Sequence, residues 1–156
     1  MQRFDIALAM GGNMQFARWT FSYLDLAASA ALTAAINFLA NPPINSTTIF
    51  QIPQGGKMMG VCIQHTTAFA GTAITDVTVS VGLPSPGSAT FFTNTFDIFQ
   101  AVANNTLLEA SMFKLGGNAA SGVIANFTSV GGNLSALTAG SVNIYLAWLN
   151  VSTPSS

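Results

Sequence analysis

Short runs in which apolar and polar residues alternate, separated by glycine-rich segments, dominate this sequence. The clearest run covers residues 141–151 and places Val142, Ile144, Leu146 and Trp148 at every second position. Successive side chains of a β-strand point to opposite faces, so this pattern is typical of a strand with one buried face. Glycine between the runs supplies the backbone freedom that tight turns need. The sequence therefore predicts an all-β fold.

The same reasoning places strands along most of the chain. The segment 91–102 is compatible with a strand or a short helix, and we allow a helical turn within it. The alanine-rich segment 27–40 predicts a short helix that ends before Pro42 and Pro43. About eight strands in a domain of this size predict a jelly-roll-like two-sheet sandwich. The predicted strands are 18–26, 47–52, 57–67, 75–83, 107–115, 123–130 and 141–151.

The domain organisation follows from where these strands begin and end. Residues 18–151 form the predicted β-sandwich domain. Residues 1–17 have a mixed composition and precede the first predicted strand, so we predict a short N-terminal arm, and whether it packs on a neighbouring subunit stays open at this point. Residues 152–156 are predicted to be a C-terminal tail.

The chain carries very few charges. Only 6% of its 156 residues are Asp, Glu, Lys or Arg, whereas about 25% is usual for a soluble domain. Charge keeps proteins soluble and apart, and a subunit whose surface is covered by neighbours can do without it. The composition therefore predicts a homo-oligomeric structural subunit.

Two classes of partner are excluded by the same residues. The four cations Arg3, Arg18, Lys57 and Lys114 are scattered along the chain, so no basic stripe is available for a nucleic acid. The most apolar window, 24–40, is too short and too polar for a membrane helix. We expect neither nucleic acid nor membrane as a partner.

No motif in the sequence carries chemistry. Cys62 and His65 lie three positions apart on one predicted strand, so their side chains point to opposite faces and cannot form a nucleophile–base pair. We expect His65 to be a strand-end histidine that is hydrogen-bonded near Thr66 and Thr67. One His and one Cys also fall short of a zinc site. The sequence predicts that the protein is not an enzyme and has no catalytic residues, no cofactor and no metal.

The aromatic residues predict a subunit interface. Trp19, Phe21 and Tyr23 share one face of the first predicted strand, while Leu24 and Leu26 occupy the other. A sandwich strand needs only one apolar face, so apolar residues on both faces indicate that the outer face is covered by a neighbour. The candidate interface residues are Trp19, Phe21, Tyr23, Phe91, Phe92, Phe96 and Phe99.

Several segments of the sequence resemble those of a known family. Residues 57–71 read KMMGVCIQHTTAFAG and precede TVSVGL, and residues 133–150 read NLSALTAGSVNIYLAWLN. With YLDL before the alanine-rich stretch and FQIP before Gly55, the segment 18–151 resembles small β-sandwich virion proteins of tailed bacteriophages. The resemblance implies a non-enzymatic structural protein of the virion, a capsid decoration, cement or fibre-like head-attached component. Its implied partners are copies of itself and other virion proteins.

A second function stays open at this point. A receptor- or carbohydrate-binding β-sandwich module of a phage tail or fibre would have a similar strand pattern. Such a module should group Tyr and Trp residues in the loops at one end, because flat aromatic rings stack against sugar faces.

Overall fold

The computed structural model describes residues 4–7, 14–38, 50–52, 56–99, 106–109 and 121–149, and these residues are almost all in strands or tight turns. Within these residues, α1 (Tyr23–Leu26) is the single α-helical turn, and Leu134–Ala136 forms a 3-10 turn. The strands are β1 (Phe4–Ala7), β2 (Met14–Ser22), β3 (Thr33–Asn37), β4 (Phe50–Ile52), β5 (Lys57–Gly71), β6 (Asp76–Gly82), β7 (Phe96–Asp97), β8 (Thr106–Glu109), β9 (Ser121–Val130) and β10 (Leu137–Leu149).

The strands form two antiparallel sheets. The first has the order β1-β2-β10-β5-β8, and the second has the order β3-β9-β6-β7 with β4 also paired to β9. β3 and β4 pair with successive parts of β9, and the amide of Phe50 donates a hydrogen bond to Asn37 Oδ1 over 3.2 Å. The two short strands therefore act as one interrupted strand.

The pairing is nested along the chain. β2 pairs with β10, β3 and β4 with β9, β5 with β8, and β6 with β7. Consecutive pairs lie in opposite sheets, which is the winding of a double-sheet jelly roll. The predicted fold class is confirmed, and β1 adds a further strand at the edge of the first sheet.

Two local predictions were wrong. Part of the segment expected to be a helix, 27–40, forms β3, because the edge of β9 offers backbone partners and the core accepts Ala34 and Ile36. Tertiary pairing overrides the helix propensity of alanine here. The first long strand ends at Ser22 and not at residue 26, because Ser22 is the N-cap of α1 and its amide and hydroxyl both donate hydrogen bonds to Asp25 in the first turn.

Other predictions lie partly outside the described residues. In 91–102, the described part (91–99) contains the short strand β7 and no helix. The predicted arm contains β1 and the beginning of β2, so the sheet starts before residue 18. Residues 1–3 and 8–13 of that arm, and the predicted tail 152–156, lie outside the described residues.

A continuous row of aromatic rings fills the space between the sheets. Along the row, rings from the first sheet alternate with rings from the second sheet or from the residue that follows β3. Neighbouring ring centroids lie 4.7 to 6.5 Å apart. Offset and edge-to-face contacts of this kind add stability beyond the area they bury. In order, the rings are Trp148, Phe50, Trp19, Phe38, Phe21, Phe127 and Phe69.

Candidate subunit interface

Three of the seven predicted interface residues belong to the core of the subunit itself. Trp19, Phe21 and Phe92 have no solvent-exposed surface. Trp19 and Phe21 lie on the inner face of β2, where they contact Phe38. These three side chains cannot reach a neighbouring molecule while the sandwich is intact, so they stabilise the subunit and not a contact between subunits.

The other four predicted residues are partly exposed and pack against the edge of the core. Tyr23 begins α1, and Phe91 stacks edge-on against Phe92 with ring centroids 5.1 Å apart. Phe96 lies in β7, and the amide of Phe99 donates a hydrogen bond to Asp97 Oδ1 over 2.8 Å. A role for these four in an interface remains a prediction.

The outer face of the first sheet carries a cluster of neutral polar side chains. Thr20 donates its hydroxyl hydrogen to Asn143 Oδ1 over 2.7 Å. Asn143 Nδ2 and the Tyr145 hydroxyl both donate to Gln64 Oε1, over 3.2 and 2.9 Å. The cluster spans β2, β10 and β5. Hydrogen bonds between neutral side chains therefore link these three strands on the outer face of the sheet, a position where many proteins use ion pairs.

The exposed large apolar side chains of the described chain all lie at one end of the sandwich. Leu24 is 67% exposed, Leu32 is 49% exposed and Val130 is 52% exposed. Leu24 and Leu32 belong to the segment that joins β2 to β3, and Val130 is the last residue of β9. The β2–β3 and β9–β10 connections meet the β5–β6 turn at the same end of the sheets. We call residues 23–32, 72–75 and 130–136 the loop end.

Sequence reasoning missed the loop end for a clear reason. Leu32 lies among alanine, serine and threonine, in the segment 27–40 for which a helix is predicted. The sequence pattern places Leu24 on a strand, but the strand ends at Ser22 and Leu24 lies in the helical turn α1. The one sequence feature that could have indicated an exposed position for Leu32 is that it is a large apolar residue in a segment rich in small residues.

Cys62 and His65 lie on opposite faces of β5, as the sequence predicts. His65 is buried between the sheets, and Cys62 is a half-buried free thiol on the outer side. Burial also raises the pKa of Cys62, which lowers its thiolate fraction at neutral pH. No three His, Cys, Asp or Glu side chains in the described ranges are close enough together to hold a metal ion.

His65 gives the protein a predictable response to acid. Burial lowers its pKa below the ordinary 6.5, while the backbone of Thr67 and the charge of Asp97 act in the opposite direction. Neither ring nitrogen has a hydrogen-bond partner among the described residues. The unfolded chain therefore binds a proton more readily than the folded one, and stability falls as the pH drops below 6.5 towards the folded-state pKa.

We expect His65→Gln to flatten this part of the pH profile. The measurement is the free energy of unfolding in urea at several pH values between about 7.5 and about 5, for the wild type and the variant. The carboxylates are present in both proteins, so the difference between the profiles reports His65 together with the Asp97 charge that acts on it. An identical slope in the two proteins would show that His65 does not titrate differently on folding.

Within the described ranges, neither the helical turn α1 nor the 3-10 turn has the length or apolarity to traverse a lipid bilayer.

Three chains from phage capsids are similar to this chain along nearly its full length. A chain of the cyanophage Pam1 capsid asymmetric unit has a TM-score of 0.52 and 15% identity over 94% of this chain and 91% of that one. A chain of the acid-stable capsid of Helicobacter pylori bacteriophage KHP30 has a TM-score of 0.52 and 12% identity over 99% and 95%. A chain of the Ralstonia phage GP4 capsid has a TM-score of 0.55 and 12% identity over 97% and 93%.

The four chains share one fold. At this identity the similarity establishes the arrangement of strands and not a common activity. The near-complete coverage of each pair means that the match includes both sheets and not a single shared motif. No family model and no curated protein matches the sequence.

Proposed function

We propose that this protein is a non-enzymatic structural subunit of a tailed-phage particle, a homo-oligomer built onto the capsid as a decoration, cement or other head-attached component. The observation that carries the proposal is the fold shared with three phage capsid chains over more than nine tenths of every chain. Its location is the virion, and its partners are copies of itself and other virion proteins.

The surface chemistry supports this function. With only 6% charged residues, electrostatic repulsion contributes little to keeping free subunits apart. Few charges lose their contact with water when a neighbour covers the surface. Burial of apolar surface at roughly 25 cal/mol per Å² drives association, offset by the loss of translational and rotational freedom. Neutral polar side chains such as those of Asn143 and Gln64 set the specificity.

The carbohydrate-binding alternative gains no support from the described loops. It requires Trp or Tyr rings grouped in the loops at one end. Trp19 and Trp148 are both in the core, and Tyr145 lies in the middle of β10 with its hydroxyl bonded to Gln64. Tyr23 at the loop end is partly buried against the core and has no second Tyr or Trp in the described loops beside it. The capsid function therefore accounts better for where the aromatic residues lie.

Purified particles of the virus that encodes this chain test the proposal. We expect density-gradient-purified particles to contain the chain in many copies, measured by quantitative mass spectrometry. We also expect it to remain bound through a wash in about 1 M NaCl, because salt screens ionic contacts and leaves apolar ones intact. Particles that lack the chain would refute the function, and release by salt alone would refute the neutral mode of attachment.

A further inference from the structure

We propose that residues 96–99 form an acid-sensitive edge of the sandwich, which separates from β5 when His65 takes up a proton while the rest of the two sheets stays paired. We call residues 96–99 the edge segment. The inference does not depend on the proposed function. It is carried by the backbone bonds of the edge segment, by the position of His65 between the sheets, and by the carboxylate next to it.

The edge segment joins the two sheets through Ile98. The amide of Ile98 donates to Val77 O of β6 over 2.9 Å, and Ile98 O accepts a hydrogen bond from the amide of Phe69 of β5, also over 2.9 Å. β5 belongs to the first sheet and β6 to the second. The Ile98 side chain is fully buried, so the edge segment closes the space between the sheets at this position.

The edge segment is paired over a short length. β7 pairs with β6 through Asp97 and Phe96, whereas β9 pairs with β6 along the whole of Asp76–Gly82. Local opening needs only the bonds of the opening unit to break, so a short edge strand opens more readily than a central one. The edge segment can therefore separate from β5 while β6 and β9 stay paired.

His65 lies between the sheets on the inner face of β5, four residues before Phe69, and is 3% exposed. Neither of its ring nitrogens has a hydrogen-bond partner in the described part of the chain. A charged imidazole is poorly solvated in such a place. The charge of Asp97 acts on the ring, which places His65 within electrostatic reach of the edge segment. Opening of this segment gives the charged ring access to water.

Asp97 is the charged residue of the edge segment. Its Oδ1 accepts the amide hydrogen of Phe99 over 2.8 Å, so the same carboxylate that attracts a charged His65 also fixes the backbone of the edge segment. Within the described strands, β3, β4 and β9 contain no titratable residue. The other titratable residues on β5 and on the strands that pair with it or with Asp97 are Lys57, Cys62, Asp76, Glu109 and Tyr145.

The sign of the effect follows from linkage. Burial is the larger influence on His65 and holds its pKa below the ordinary 6.5 in the closed form, although Asp97 acts in the opposite direction. In the open form the ring is hydrated and its pKa returns towards 6.5. The open form therefore binds the proton more tightly, and acid raises its population.

The test is amide hydrogen exchange of the full chain, followed by NMR and corrected for the intrinsic pH dependence of exchange. Between about pH 7.5 and about pH 5.5 we expect the protection of the Phe69, Ile98 and Phe99 amides to fall by up to about tenfold, the limit that one histidine can supply. The amides that pair β6 with β9 should keep their protection. His65→Gln is the matched control and should show no fall at any of these positions.

Three results would overturn the inference. An equal fall at the β6–β9 amides would mean that acid acts through unfolding of the whole subunit. A fall of the same size in His65→Gln would assign the effect to another group. Unchanged protection of the Phe69 and Ile98 amides in wild type would mean that the edge segment does not open with acid.

Asp97→Asn gives a second readout, which does not depend on the folding of His65→Gln. Asparagine can still accept the Phe99 amide hydrogen but cannot stabilise a charged ring, so the pKa of His65 should fall further below 6.5. The pH-dependent loss of protection at Ile98 should then increase. His65 is the only histidine of the chain, so NMR titration of its ring measures the pKa directly. A wild-type ring that titrates at 6.5 or above would refute the proposed device.

Discussion

Gly140→Ala should destabilise the subunit by about 3 kcal/mol or more, the combined effect of backbone strain and overpacking. Gly140 lies in β10 with a φ of +134°, a conformation that residues with a Cβ rarely adopt. A Cβ at this position would also overlap the ring of Phe69, which is 1% exposed and has no room to move away. In a domain of this size the loss corresponds to a fall in melting temperature of roughly 6 to 12 °C.

Gly60→Ala is the matched control. Gly60 lies in β5 of the same sheet, and a Cβ built on it meets nothing within 4 Å. Alanine restricts the unfolded chain more than glycine does, so this variant should be as stable as wild type or up to about 1 kcal/mol more stable. Urea unfolding of the two variants measures the difference. Equal losses of stability in both would mean that the effect is a general intolerance of the sheet to alanine and not the Phe69 contact.

A double-mutant cycle locates the cause further. Phe69→Leu removes the ring that the new methyl group would overlap, so Gly140→Ala should cost less in that background than in wild type. The part of the cost that persists is the strain of the positive φ. Coupling between the two positions is expected because they are in direct contact, whereas Gly60→Ala should add independently.

The sequence predicts the long strands well because their signal is local. In β10 the alternation of Val142, Ile144, Leu146 and Trp148 coincides with full burial of each, and in β6 the same holds for its three valines. The alternation of apolar and polar residues is a property of the strand itself and does not depend on which element packs against its buried face. The two-sheet architecture follows from the number of such strands.

The sequence does not say what covers a buried face. Trp19 and Phe21 are predicted to contact a neighbour, yet Phe38, the residue after β3, packs on both of them, and Phe50 of β4 packs on Trp19. Phe38 comes from a segment for which a helix is predicted, and the predicted strand 47–52 does not say which sheet Phe50 faces. The helix expected at 27–40 was wrong for a related reason, since β9 is almost 90 residues further along the chain.

The candidate interface shows the same limit more strongly. Leu32 and Val130 lie at the same end of the sheets because β3 pairs with β9, and a hydrogen bond joins Ser129 to Leu32, residues that are 97 positions apart in the chain. No pattern within either segment could place them together. The low charge of the chain favours neutral association, and this stays a prediction.

Phe38→Ala should cost about 3 to 5 kcal/mol, the usual range for removing a buried aromatic ring. The Phe38 centroid lies 4.7 Å from that of Trp19, 5.6 Å from Phe21 and 6.4 Å from Phe50, so its loss interrupts the row of rings between the sheets. A domain has about 5 to 15 kcal/mol of total stability. The variant should therefore lie close to unfolding at ambient temperature.

Phe16→Ala is the control, because Phe16 lies on the outer side of β2 and is only half-buried. We expect it to cost less than half as much. Near-ultraviolet circular dichroism reports the same difference directly, since Trp19 and Trp148 are the two tryptophans and Trp19 packs on Phe38. Phe38→Ala should weaken the tryptophan signal even under conditions where the variant is folded, and Phe16→Ala should preserve it. Equal losses of stability in the two variants would contradict this expectation. They would mean that a ring in the row between the sheets stabilises the fold no more than a half-buried ring on the outer side of β2. The stability of the sandwich would then come from its aliphatic strand faces.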